Sequence, residues 1–146
     1  MANNIQAVDS LVANEFAVEI GGEVVGGIFG VSGLTLFQVD SEGKRVKPSF
    51  EITKMVERDA KNAFNSWHRE TVTNRDSDTR PTRTLAIVAV DDGIETRRWT
   101  AKDAYIAGIR YSDYDTASFE MIAEVYTIMY SEIEESWTYA DSQSVG

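Results

Sequence analysis

Arg83-Thr84-Leu85-Ala86-Ile87-Val88-Ala89-Val90 is an apolar run that stops at Asp91-Asp92-Gly93 and gives way to a second run, Ile94 to Thr100. Two such runs around an Asp-Gly step are the strongest short-range hairpin signal. The hairpin is read as the centre of a β-sheet, with Trp99 closing its second strand. Ala101 to Arg110 fits neither strand nor helix cleanly. Ser112 to Ser118, with Asp113 and Asp115, is a polar loop. In Phe119 to Tyr130 two periods compete. Glu120, Glu124, Thr127 and Ser131 fall at helical spacing, while Val125, Tyr126, Ile128 and Tyr130 are β-branched or aromatic and suit a strand. Period alone favours helix.

Upstream, Phe16-Ala17-Val18-Glu19-Ile20 alternates, Gly21-Gly22 ends it, and Val24-Val25 resume before Gly26-Gly27. This predicts a tight hairpin, because such turns need residues at positive φ. Ile28 to Gly33 continues in strand-like sequence, with glycines marking bulges or close backbone approach. Leu34 to Val39 reads as a further strand and Asp40 to Pro48 as a charged loop. In Ser49 to Val56, Phe50, Ile52 and Lys54 alternate with Glu51, Thr53 and Met55. From Asp59 the period changes. Ala60, Ala63, Phe64, Trp67 and Thr71 recur at three and four, which predicts an amphipathic helix over about 59–72 with Asp59 as N-cap. Residues 1–14 form an arm in which Ile5, Val8, Leu11 and Val12 recur at three-to-four spacing. Residues 132–146 are acidic and read as a mobile or partner-ordered tail. Six or seven short strands and one helix predict a mostly β domain over 15–131, an antiparallel sandwich or barrel with a flanking helix.

Composition removes several function classes. The chain has 146 residues, no cysteine and one histidine, His68. Disulfides, thiolate metal sites and cysteine nucleophiles are excluded, and so is a His-pair metal site. The glycine pairs lack a following Gly-Lys-Ser/Thr, so they are not a phosphate loop. Asp91 and Asp92 are turn formers rather than a carboxylate pair. Asp113 and Asp115 carry no further mark of a calcium loop. No Ser has a Gly-x-Ser-x-Gly setting. Trp67, Trp99 and Trp137 are read as core or interface residues, and His68 as a partly buried or surface imidazole. No cofactor, metal or catalytic residue is expected. Met1-Ala2-Asn3-Asn4 has no basic or apolar signal segment, and no apolar run approaches membrane-spanning length, so folding in the cytoplasm without a membrane anchor is expected.

The net charge is −10, and all 14 Lys and Arg fall between Lys44 and Arg110. Residues 1–43 carry six acids and residues 111–146 eight, with no base in either flank. One reading is a solvated surface with an accidental bias. The other is self-complementarity, with the basic middle of one copy meeting the acidic flanks of the next. Specific nucleic-acid binding is not expected from this charge.

Several segments together resemble a known family. Phe16-Ala17-Val18-Glu19-Ile20-Gly21-Gly22 and then Phe29-Gly30-Val31-Ser32-Gly33-Leu34 resemble the opening of the inner-tube proteins of contractile phage tails and related contractile injection systems. That opening is an F-x-V-E-I-x-G strand followed by a phenylalanine and V-S-G-L. Phe50 to Lys54 through Asp59 and Trp67 resembles the family's strand-then-helix segment. Arg83 to Trp99 resembles its strand, acidic turn and strand ending in tryptophan. Ala104-Tyr105 stands where the family often has Asn-Ala-Trp-Pro, Ile106 replaces the proline, and the Asp40–Pro48 loop lacks the usual Lys-Leu-Pro-Gly.

The resemblance implies a β-barrel-like tail-tube fold in which Phe119 to Tyr130 is strand. It implies hexameric rings stacked into a hollow inner tube, assembled in the cytoplasm and becoming part of a phage tail or contractile particle. The implied partners are further copies of the chain, a sheath protein, baseplate or tube-initiator and terminator proteins, and a luminal cargo. Contact candidates between subunits or rings are Lys44, Arg45 and Lys47, the acids Asp91 and Asp92, and Glu132 and Glu134. The alternatives are a secreted hexameric tube protein of the type VI kind and a small enzyme or ligand-binding β-barrel.

Overall fold

A computed structural model describes residues 15–112 and 122–137. The expected N-terminal arm, the loop bearing Asp113 and Asp115, Phe119 to Met121, and residues 138–146 lie outside the described residues. The elements are β1 (Phe16–Ile20), β2 (Glu23–Val25), β3 (Ile28–Ser32), β4 (Phe50–Met55), α1 (Ala63–Thr73), β5 (Thr82–Asp91), β6 (Ile94–Tyr111), β7 (Ala123–Met129) and β8 (Glu132–Ser136). All strand pairs are antiparallel.

Turn chemistry places the hairpins. Asp91 pairs with Ile94, leaving Asp92-Gly93 as a two-residue loop with φ of 53° and 78°. Two consecutive positive φ values match the twist of the flanking strands, and Asp-Gly supplies them at low cost. Ile20 pairs with Glu23 across Gly21-Gly22 in the same way.

The sheet order is β2-β1-β5-β6-β7-β4-β3, with β8 also on β6. Its two ends, β2 and β3, are consecutive in the chain and joined only by Gly26-Gly27. Two residues bridge at most about 11 Å between the flanking Cα atoms. The sheet is therefore rolled until its edges nearly meet, which is the expected barrel. Gly27 makes the crossing at φ 76°, its carbonyl accepts from Met55 N–H at 2.9 Å, and a Cβ there would lie 3.0 Å from the Glu57 carboxyl carbon.

Val18, Ile20, Leu85, Ile87, Phe50, Ile52, Ile106, Tyr126, Ile128 and Ile133 fill the inside of the roll. Helix α1 adds Phe64 and Trp67 to this core, with the Phe64 and Tyr126 rings 4.6 Å apart. The helix begins later than the sequence suggested. Asn62, not Asp59, is the N-cap and accepts from Asn65 N–H at 2.8 Å. Asp59 instead closes a preceding turn, its carboxylate accepting from Lys61 N–H at 2.9 Å.

Three further expectations are corrected. Trp99 does not close its strand, since β6 runs on to Tyr111 and absorbs the ambiguous Ala101–Arg110 stretch. The run survives because β6 changes partners along its length, with β5 and β8 flanking its first part and β7 its last. Bulges at Ile106/Gly108 and a positive φ at Asp103 let it bend. Leu34 to Val39 is not a strand, because among the described residues only Val39 of this stretch finds a ladder partner, Arg45. Glu132 to Ser136 is a strand of the sheet rather than the start of a loose tail, with Ile133 in the core. Ala123 to Met129 is strand, against the helical period and with the resemblance.

Candidate assembly surface

The segment between Gly33 and Ser49 leaves the barrel as a braced loop. Gly33, at φ 78°, turns the chain out, and the Thr35 hydroxyl donates to its carbonyl at 3.0 Å. Val39 and Arg45 form a bridge, and Val46 N–H donates to the Gln38 carbonyl at 2.9 Å. The Asp40 carboxylate caps the turn, accepting from Glu42 N–H at 2.9 Å and Lys44 N–H at 3.0 Å. These are the local side-chain bonds that make Asp a turn former.

Two long-range contacts fix the loop to the barrel. The Arg45 guanidinium makes a forked pair with the Glu132 carboxylate, one arm at 2.8 Å. Lys47 Nζ donates to the Ser131 carbonyl at 2.7 Å. The fork matches carboxylate geometry, which favours Arg over Lys. Arg45 holds the Glu132 carboxyl down at about 2, with the Ile133 N–H adding to the effect. Glu132 in turn raises the Arg45 guanidinium. Beside its exposed polar tip, the braced loop presents Leu36, Phe37 and Val39 to solvent, Phe37 at 69% exposure. These three exposed apolar side chains fall within four residues of one loop that is held to the barrel.

The predicted contact residues sort accordingly. Arg45 and Glu132, both candidates for contact between subunits or rings, meet within one chain, and Lys47 is tied to the same place. Lys44 lies 3.7 Å from Glu42 and stays exposed at the loop tip. Glu134 pairs with Lys102 at 2.9 Å across β8 and β6. Asp91 and Asp92 sit at the exposed β5–β6 turn. Part of the segregated charge is paired within the chain. Arg98 pairs with Glu19 at 2.7 Å, Lys54 with Glu124 at 3.0 Å, and Lys102 with Glu134, each joining the basic middle to an acidic flank.

Two features escaped the sequence reading. Phe37 was assigned to a strand, though Gly33 before it and Asp40 after it were available turn signals. The second is a buried polar group. Lys54 is fully buried, with Nζ 3.0 Å from Glu124 Oε1 and 3.0 Å from the Met55 carbonyl. His68 Nδ1 lies 2.6 Å from the Tyr126 hydroxyl and 3.5 Å from Glu124 Oε2. Lys54 also faces the Phe64 and Tyr126 rings at 5.7 and 6.0 Å. Burial lowers the His68 imidazole and raises the Tyr126 phenol, each with Glu124 pushing upward. This set sits in the core with Lys54 and Tyr126 closed to solvent, so it locks α1 onto β4 and β7. Its signal was the parity of Lys54 with Phe50 and Ile52. Among the described residues no group of three or more His, Asp or Glu could hold a metal ion. No helix among them is long and apolar enough to cross a membrane.

No protein-family model matches the sequence, and no curated protein resembles it significantly in sequence. Solved structures do resemble it. The sheath/tube terminator of an extracellular contractile injection system, PVC, in its extended state, superposes at TM-score 0.66 with 16% identity. That match covers 84% of this chain and 93% of the other. The tube-terminating cap of the anti-feeding prophage gives TM-score 0.66 at 19% identity, over 84% of this chain and 88% of the other. The Hcp1 protein from E. coli EAEC 042 gives 0.61 at 11% identity, over 86% and 93%. The rolled β-sheet with one helix described above is the fold shared by these tube, terminator and Hcp proteins.

Proposed function

We propose that this chain is a structural subunit whose copies close into rings, six to a ring, and that the rings stack as the hollow inner tube of a contractile injection particle. The observation that carries this reading is the fold, shared over more than four fifths of the chain with components of such particles. The braced Leu36–Phe37–Val39 loop supports it, because exposed apolar side chains on a loop fixed by an ion pair and a hydrogen bond are suited to covering by another copy. Ring closure would also satisfy strand edges that otherwise invite uncontrolled pairing. The role is mechanical and includes no chemical step. The tube would be built in the cytoplasm, enclosed by a sheath protein, started on a baseplate or initiator and stopped by a terminator. Its lumen would release a cargo when the sheath contracts.

A second reading is favoured by a specific observation: two of the similar structures at TM-score 0.66 are terminators. On this reading the chain would form one ring and stop, whereas a tube subunit would continue. Negative-stain microscopy and sedimentation of the purified chain distinguish them, as long tubes against single rings. The Phe37→Asp chain, folded by circular dichroism, is expected to remain monomeric. A monomeric wild-type chain at high concentration, alone and with its sheath partner, would refute both readings.

A further inference from the structure

We propose that the free edge of β6 beside the end of α1 is a docking site for an extended, acid-bearing segment of another protein, added as one more strand of the sheet. Toward its end β6 has a strand on one side only. There β7 pairs with it from Tyr105 to Tyr111. On the opposite side β5 begins at Thr82, across from Tyr105, with Pro81 before it. Among the described residues no strand continues along residues 107–111 on that side. The register shows which groups are left open. Ser112 N–H donates to the Ala123 carbonyl at 2.9 Å, and Arg110 and Gly108, two and four residues earlier, stand opposite Val125 and Thr127. Alternate residues of an antiparallel strand turn their N–H and C=O groups to opposite sides, so those of Ile109 and Tyr111 face away from β7. Such an edge takes an extended segment by main-chain hydrogen bonding.

The groove alongside sets the chemistry of that segment. A depression of about 360 Å³ lies between Thr71, Val72, Arg75 and Arg80 on one side and residues 106–109 of β6 on the other. Arg75 Nη1 donates to the Val72 carbonyl at 3.2 Å. Arg80 Nη2 donates to the Arg75 carbonyl at 3.2 Å and to the Ser77 carbonyl. These bonds hold both side chains in place and leave most of the five N–H donors of each guanidinium unused. Neither forms an ion pair among the described residues, Asp76 and Asp78 of the same turn included, unlike Arg45, Arg83, Arg98 and Arg110. Fixed guanidiniums without a partner select carboxylates, and Val72 and Ile109 beside them select apolar side chains. The occupant is therefore a strand in which acids alternate with apolar residues.

A second copy fits this less well. The described strand of this chain with such a pattern is β8, whose Glu132, Glu134 and Ile133 are committed to Arg45, Lys102 and the core. The inference does not depend on the ring-and-tube reading, and either can fail alone.

The probe is a short fluorescein-labelled peptide of alternating Glu and Val. Its anisotropy is expected to rise and saturate as the full-length chain is added, while amide exchange at Ile109 and Tyr111 slows. The Arg75→Ala/Arg80→Ala chain, folded by circular dichroism, is expected to bind at least about tenfold more weakly. A peptide of alternating Lys and Val is expected not to bind. The Glu/Val peptide N-methylated at every residue, which keeps its charge and loses its donors, is also expected not to bind. Equal binding by either control, undiminished binding to the double variant, or no binding by any peptide would overturn the inference. Displacement of the peptide as the chain self-associates, read by sedimentation, would give the edge to a second copy and overturn the assignment to another protein.

Discussion

Lys54 shows how one residue can be read two ways. Its place in the alternation with Phe50 and Ile52 sends it into the core, where an unpaired ammonium would be very costly. Glu124 meets it across the β4–β7 ladder, in the Lys54↔Glu124 register. Removing one partner of such a pair costs about 3–5 kcal/mol, while replacing both with apolar groups of similar size is often neutral. Lys54→Met alone should therefore strongly lower the urea midpoint, and Lys54→Met/Glu124→Leu should recover most of it. A double variant no more stable than the single one would show that the pair is not the source of the loss. His68 adds a pH dependence. Burial, helped by Lys54, holds its imidazole below its ordinary value, against the pull of Glu124. The unfolded chain then binds more protons than the folded one as pH falls through about 6.5, so stability drops with acidification until the folded group also titrates. Melting temperatures of His68→Asn between pH 7.5 and 5.5 should fall less steeply than those of the wild type.

The strand β8 and the braced loop make separate demands on the sequence. Ile133 is buried in the core although it lies in the acidic stretch Glu132-Ile133-Glu134-Glu135. Ile133→Ala should cost about 2–4 kcal/mol by the transfer and cavity terms. A change under half of that in chemical denaturation would mean that β8 is not integral to the fold. The loop responds differently. Arg45→Ala removes the fork to Glu132 and frees the loop without opening the core. Overall stability should shift little, since both groups are solvent-exposed. Amide exchange at Val46 and Asp40, which hydrogen-bond within the loop, should nonetheless accelerate at least tenfold. Equal exchange in the two proteins would show that the turn holds itself without Arg45.

For the whole molecule, the ion pairs change what assembly must rest on. The basic middle and acidic flanks meet within one chain because β6 lies between β5 and β8 and faces β1 across β5. Part of the charge is thus spent on the fold, and on the assembly reading proposed above contact between copies rests on the exposed apolar side chains of the loop. Lys44→Glu at the loop tip should alter the salt dependence and rate of assembly more than its extent. Phe37→Asp should abolish assembly. If light scattering shows the reverse order, charge and not apolar burial joins the subunits.

The sequence by itself determined the turns. Asp92-Gly93 and Gly21-Gly22 encode their hairpins in adjacent residues, and alternation set the inward faces of β1 and β4, with Lys54 on the buried side. It also removed cysteine chemistry outright. Only the tertiary structure decided that β6 continues past Trp99, that Glu132–Ser136 is a strand, and that Phe37 stands outside any ladder. The reason is that a strand exists only when a partner supplies its hydrogen bonds. Those partners are distant in sequence, as with Lys102 and Glu132, so no local window contains both halves of the decision.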